Sequence, residues 1–264
     1  MSYQQLTTPS VEPLHLDEVK AHLRVTVTSE DDLIDNINRA AREKAEGFLK
    51  RALVMRKYVM RLDHFTHMIK PEYTPLVKVH SITYVDTNGD TQTLADTVYT
   101  VDRYREPAEI FEAYNEDFPT VRDVANAVQI TFTAGYMAPF TVNTGTDILT
   151  VANNPFSNGD VVRLYVTGGE TKALPTGLSV NTDYYVIETS SNTFKLSTTS
   201  NGSAVDITAS GTGFFFIGYE VFPQPILQAI KLMQTDWYYN RGNVDQVMPK
   251  ASYNLLMPYT LDVF

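Results

Sequence analysis

Ala127-Val128-Gln129-Ile130-Thr131-Phe132-Thr133-Ala134-Gly135-Tyr136 is the stretch on which the reading of the fold turns. Val128, Ile130 and Phe132 alternate with polar residues, so one face of a strand is apolar and the other is wet. The alternation stops at Ala134-Gly135-Tyr136, and just beyond it the composition changes. Residues 138–218 hold nine of the 13 glycines but only three of the 21 basic residues, Arg163, Lys172 and Lys195. Short apolar runs there (Ile148–Val151, Val161–Val166, Tyr184–Glu188, Thr193–Ser197 and Phe214–Ile217) are set among Thr, Ser, Asn and Gly. Turn signals separate them at Asn158-Gly159-Asp160, Gly168-Gly169, Asn201-Gly202 and Gly211-Thr212-Gly213. The spacing predicts a small all-β sandwich or barrel. The boundary predicts an insertion, residues 138–217, in a core made of 1–137 and 218–264.

Upstream the core opens with helices. Leu16, Val19 and Leu23 mark a short one over Leu16–Arg24. Ser29 reads as an N-cap for a longer one that runs to about Lys50, with Glu30, Asp31 and Asp32 at the positive end of its dipole. Leu33, Ile37, Ala41, Ala45 and Phe48 form its apolar stripe, widened by Ile34 and Leu49. Strands follow at Tyr58–Leu62, Val77–Val85, Val98–Arg103 and Ile110–Tyr114, with a hairpin turn at Asp86-Thr87-Asn88-Gly89-Asp90. Downstream, Pro225 suits a first helical turn. Ile226, Ile230, Met233 and Trp237 form one stripe, and Gly242 is a candidate stop. The last residues, from Asn243, are apolar but broken by Pro249 and Pro258, and read as an arm that needs a surface to pack on. Leu255, Leu256, Met257, Tyr259, Leu261 and Phe264 would form its apolar patch, the mark of a partner surface. The expected class is α+β: a helical core with a small antiparallel β subdomain, plus an inserted all-β domain, sandwich or barrel.

Composition removes several functions. The chain of 264 residues has a net charge of -10, which argues against a general nucleic-acid binder. It has no cysteine, hence no disulfide, thiolate nucleophile or Cys-based zinc site. No apolar run approaches the roughly 20 residues of a membrane span, and Met1–Leu6 does not read as a signal peptide, so a soluble protein made inside the cell is expected. His64-x-x-His67 has helical metal spacing in a stretch that reads as strand end and loop, with no third ligand at hand. No Gly-x-Ser-x-Gly, phosphate loop or dinucleotide fingerprint occurs. Trp237-Tyr238-Tyr239 has the register of packing residues rather than of a base-stacking platform. The expectation is a protein with no catalytic residue, no cofactor and no metal.

The order of motifs resembles the tailed-phage head–tail connector (adaptor) family. The residues that carry the likeness are Leu16–Arg24, Glu30-Asp31-Asp32, Pro75-Leu76-x-x-Val79-x-x-Ile82-x-Tyr84-x-Asp86, Tyr99-x-Val101-Asp102 and Val128–Tyr136. They continue with Pro223-x-Pro225-Ile226 through Trp237-Tyr238-Tyr239-Asn240-Arg241, and with Leu255-Leu256-Met257-Pro258-Tyr259, where Thr260 stands in place of the family's Arg. The 138–217 module resembles β modules of other phage structural proteins at Leu174-Pro175-x-Gly177-Leu178 and Thr193-Phe194-Lys195-Leu196. The resemblance implies a virion neck protein, made in the host bacterial cytoplasm. It implies a ring of twelve subunits under the portal protein, extending the DNA channel and supporting a stopper or other tail-side connector. Genomic DNA would pass without specific binding, past an acidic wall that repels phosphate. It assigns a portal-binding arm to Leu255, Leu256, Pro258 and Tyr259. The helix packing of the ring and core is expected from Leu33, Ile37, Phe48, Ile226, Ile230 and Trp237. The alternative is a tail or baseplate structural protein whose β domain binds host glycans.

Overall fold

The computed structural model describes residues 2–242 and 248–261. In chain order it contains β1 (Ser2–Gln5), α1 (Leu16–Leu23), α2 (Asp31–Leu49), β2 (Arg56–Leu62), β3 (Met68–Ile69), β4 (Leu76–Val85), β5 (Thr91–Thr93), β6 (Tyr99–Asp102) and β7 (Glu109–Glu112). There follow β8 (Val128–Ala134), β9 (Ala138–Asn143), β10 (Ile148–Thr150), β11 (Val161–Thr167), β12 (Tyr184–Ile187), β13 (Thr193–Ser197) and β14 (Phe214–Gly218). Then come α3 (Gln224–Tyr239), α4 (Lys250–Leu256) and a 3-10 turn (Met257–Tyr259). The class is α+β with an all-β element, and that element is a closed barrel.

The chain divides into two compact units. One takes residues 2–9 and Lys50–Gly135. The other takes Ser10–Leu49 and the described residues from Tyr136 to Thr260. Packing therefore groups the barrel with the helices, whereas composition draws its line at residue 138.

The first unit is built from two antiparallel sheets, β1-β2-β8-β4-β5 and β3-β7-β6. The alternation of β8 sets the register of the larger sheet: Tyr58↔Phe132, Met60↔Ile130 and Leu62↔Val128 on one side, Ile82↔Ile130 on the other. These residues share one core with Ile69 and Ile110 of the smaller sheet. The Asp86–Asp90 turn forms as read. Asp86 Oδ1 accepts the N–H groups of Asn88 and Asp90, and Gly89 takes φ +97°. Gly135, which ends β8, sits at φ +137°, and a Cβ there would lie 2.6 Å from the Met55 backbone.

The second unit holds α1 to α4 and the barrel β10-β13-β12-β11-β14-β9. Entry and exit of the barrel segment lie side by side, because Ala138 pairs with Ile217. Gly218 allows this approach; a Cβ there would meet the Tyr136 carbonyl oxygen at 2.0 Å.

Several local expectations are corrected. Asp31 N–H closes a turn on Thr28 O, and Glu30 O accepts the first helical bond from Ile34, so Glu30 rather than Ser29 holds the cap position of α2. The helix α3 ends at Tyr239 with Asn240 as its cap, ahead of Gly242. The strands β1, β3 and β5 carry too little apolar alternation to be read from sequence; β9 alternates at Ala138, Phe140 and Val142, but Pro139 disguises it.

Candidate functional site

The His67 ring meets Glu112 at 2.6 Å, and no group of three metal-ligating side chains occurs among the described residues. Glu30 accepts from Tyr238 Oη and, at 3.0 Å, from Arg241, whose guanidinium lies 4.4 Å over the Tyr238 ring. These hydrogen bonds, that of Tyr238 foremost, hold the Glu30 carboxyl below its usual range. Glu30 is thus a clamp between the start of α2 and the end of α3, while Asp31 pairs with Lys20 of α1 at 2.5 Å.

The second unit has an open cleft of about 1160 Å³ beside α1, lined by Glu18, His22, Tyr165, Lys172 and Lys231 among others. Glu18 pairs with Lys172. Burial, and then the charge of Lys231, lower the pKa of both His22 and Lys172. His22 Nε2 is bonded to Thr235 Oγ1 at 2.9 Å. These contacts join α1 to the barrel and to α3.

The helical layer carries the informative surface. The buried face of α2 is Ile34, Asn38, Ala41, Arg42, Ala45, Glu46 and Leu49. Leu33, expected in the stripe, is 36% exposed, and Ile37 and Phe48 are half-buried. The face is rotated because three polar residues are satisfied inside. Arg42 bonds Glu12 at 2.6 Å and Glu46 at 2.5 Å. Asn38 donates to Leu14 O at 2.8 Å and accepts from Gln234 at 2.6 Å. Burial would lower the Arg42 pKa, but the bond to Glu12 and the charge of Glu46 outweigh it, and the net shift is upward.

In α3, Ile226 and Ile230 are buried, with Met233. Trp237 is only half-buried, and Tyr238 takes the inward position. The Trp237 Nε1 atom itself is buried without a hydrogen-bond partner.

The arm is partly spent inside its own chain. The helix α4 packs on α3, Ser252 Oγ donates to Ala229 O at 3.0 Å, and the Tyr253 ring lies 5.4 Å from that of Phe48. Leu256, expected in the portal-binding arm, is fully buried. Leu255 and Tyr259 are half-buried and Pro258 is exposed. Tyr253 and Met257 also present large exposed surfaces. Phe264 and Asn243 lie outside the described residues. Sequence reading missed Tyr253; its spacing, three residues before Leu256 and four before Met257, was the available signal.

Residues 13–87 match the family model of the phage gp6-like head-tail connector protein. That span covers α1, α2, β2, β3 and β4, and includes the Pro75–Asp86 motif. Three solved chains resemble the whole fold, each over 98% of this chain and 95% of the other. One is from the virion of a native gene transfer agent particle, with TM-score 0.58 and 16% identity. The others are from the neck of the empty particle computed with C6 symmetry, with TM-score 0.56 and 17% identity, and of the native particle computed with C12 symmetry, with TM-score 0.55 and 17% identity. Among curated proteins, none matches. The matched family and these neighbours are structural components of phage-like particles, and together they support a head–tail connector role.

No helix among the described residues is long and apolar enough to cross a membrane.

Proposed function

We propose that this chain is a structural subunit of a phage-like neck, a head–tail connector that forms a ring beneath the portal and carries the DNA channel toward the tail. The match over residues 13–87 carries this reading, since α1, α2 and the Pro75–Asp86 strand are the elements that match. The likeness over nearly the full chain to particle-neck proteins supports it. The ring has twelve subunits, in keeping with the symmetry at which one of those necks was computed. It meets the portal on one side and a stopper or other tail-side connector on the other.

Exposed apolar residues of the helical layer form the assembly face: Leu33 of α2, Tyr253 of α4 and Met257 beyond it. Burying three such side chains contributes about 5–8 kcal/mol gross, before ordering costs. Leu255, Pro258 and Tyr259 engage the portal, while Leu256 anchors that segment to its own chain. The net charge of -10 lets DNA pass without being held.

The test is electron microscopy of the purified protein mixed with its portal. A closed ring seated under the portal is expected. A portal left bare at micromolar concentrations of this protein would overturn the reading.

A further inference from the structure

The five-stranded sheet of the first unit is charged unevenly along its length. At one end, Lys57 of β2 and Lys78 of β4 flank the same residue of β8, Thr133. The register shifts between Val79↔Phe132 and Ser81↔Thr131, which leaves His80 as the extra residue of a bulge. The bulge turns His80 to the side of the lysines, where its Nε2 lies 2.7 Å from Thr133 Oγ1. Burial, and then Lys57 and Lys78, lower the His80 pKa to about 4, so the ring is neutral at pH 7 and the lysines supply the charge. The strand positions of this side carry no carboxylate. The successive rows are Lys57, Thr133, Lys78; then Val59, Thr131, Ser81; then Arg61, Gln129, Thr83. Neither lysine has an ion-pair partner among the described residues.

The other end is acidic. Leu62, Val128 and Tyr84 share a row there, and Asp63 and Asp86 follow the strands that leave it. Asp63 Oδ1 accepts Asn126 N–H at 2.8 Å, and Arg122 N–H bonds Val85 O at 3.0 Å, which brings Asp123 to the same end. Asp90 closes the hairpin on Asp86. Asp63, Asp90 and Asp123 are exposed, with Arg122 beside them. Six residue steps of strand lead from Lys57 to Asp63, about 20 Å at roughly 3.3 Å per residue. That exceeds the Debye length of about 8 Å at physiological salt, so the two ends do not neutralise each other within one sheet.

We propose that this sheet is a head-to-tail assembly contact, in which the Lys57/Lys78 end of one copy meets the carboxylate end of the next. A ring that closes by rotation is heterologous and needs two different, complementary patches on every subunit. A chain with a net charge of -10 is a poor host for the phosphates of DNA, while a second copy offers carboxylates in abundance. The inference rests on the ring reading and adds which surfaces pair.

The test is charge exchange in the full chain, read by native mass spectrometry or, where rings form only on the portal, on portal-bound subunits. One variant carries Lys57→Glu and Lys78→Glu. The other carries Asp90→Lys and Asp123→Lys, sparing Asp63 and Asp86, which hold backbone N–H groups. Circular dichroism checks that both fold. Each alone should assemble at least about tenfold more weakly than the unaltered chain, because like charges face each other. An equimolar mixture should recover rings of alternating subunits. Normal assembly of either variant alone, or no recovery on mixing, would overturn the contact while leaving the ring intact. Loss of duplex DNA retention with normal assembly would assign the lysines to phosphate and also overturn it. No ring from the unaltered chain, alone or on the portal, would remove the proposed function and this contact together.

Discussion

Arg42 shows how much one buried polar side chain can redirect a helix. An arginine in a helix reads as a solvated position, yet its guanidinium lies inside between Glu12 and Glu46. Removing it takes the guanidinium away from Glu12 and from the buried Glu46. Arg42→Ala is expected to cost about 3–5 kcal/mol of unfolding free energy in urea titrations, the loss typical when a buried pair is broken from one side. The Glu30 clamp behaves differently because it is open to solvent. Its carboxyl has a folded pKa depressed below 4.5 by Tyr238 and Arg241, so its contribution is complete above that value and disappears as pH falls through the folded pKa. Tyr238→Phe should therefore lower the melting temperature at pH 7, and the difference from the unaltered chain should shrink toward zero as the pH falls through the depressed folded pKa of Glu30. A difference independent of pH would assign the effect to packing alone. Gly135→Ala tests the backbone. At φ +137°, with Met55 backbone atoms 2.6 Å from a Cβ, the change should cost at least about 1–3 kcal/mol.

At the scale of elements, the strands with regular alternation were legible: β2, β4, β8 and most barrel strands lie where the period-2 pattern puts them. The pattern fails at β1, where Ser2-Tyr3-Gln4-Gln5 is a strand only because β2 offers a partner edge, from Ser2↔Arg61 to Gln5↔Tyr58. The helices were legible in position but less so in facing. A hydrophobicity stripe cannot show that Asn38 and Arg42 find partners on segments far along the chain. The same limit applies to α4. Its apolar residues announced a need for burial, but Leu256 meets that need within the chain and Met257 does not. Leu256→Ala should then cost about 2–5 kcal/mol in denaturant unfolding. Met257→Glu should leave unfolding unchanged and weaken binding to the portal or to neighbouring subunits, measured by sedimentation. Equal effects on folding from both changes would contradict this division of roles.

At the scale of the whole molecule, the barrel strands run from Ala138 to Gly218, and Ala138 pairs with Ile217. Replacing residues 138–217 by a short Gly-Ser turn should therefore leave a folded chain that still binds its portal, because the cut ends already lie together. An unfolded product by circular dichroism would show that the barrel is needed by the helices it is grouped with. What the sequence by itself determined is local and periodic: alternating strands, amphipathic helices, turn glycines, the change of composition at 138, and the motif order that resembles head–tail connectors. What only the tertiary structure decided is pairing across long separations. Arg42 with Glu12, Asn38 with Gln234, Leu256 against its own helices and the opposite charges at the two ends of one sheet each join residues whose separation leaves no periodic trace. Periodicity records which face of an element is apolar. Which partner covers that face, and which polar group is satisfied there, depends on how the elements fold back on one another.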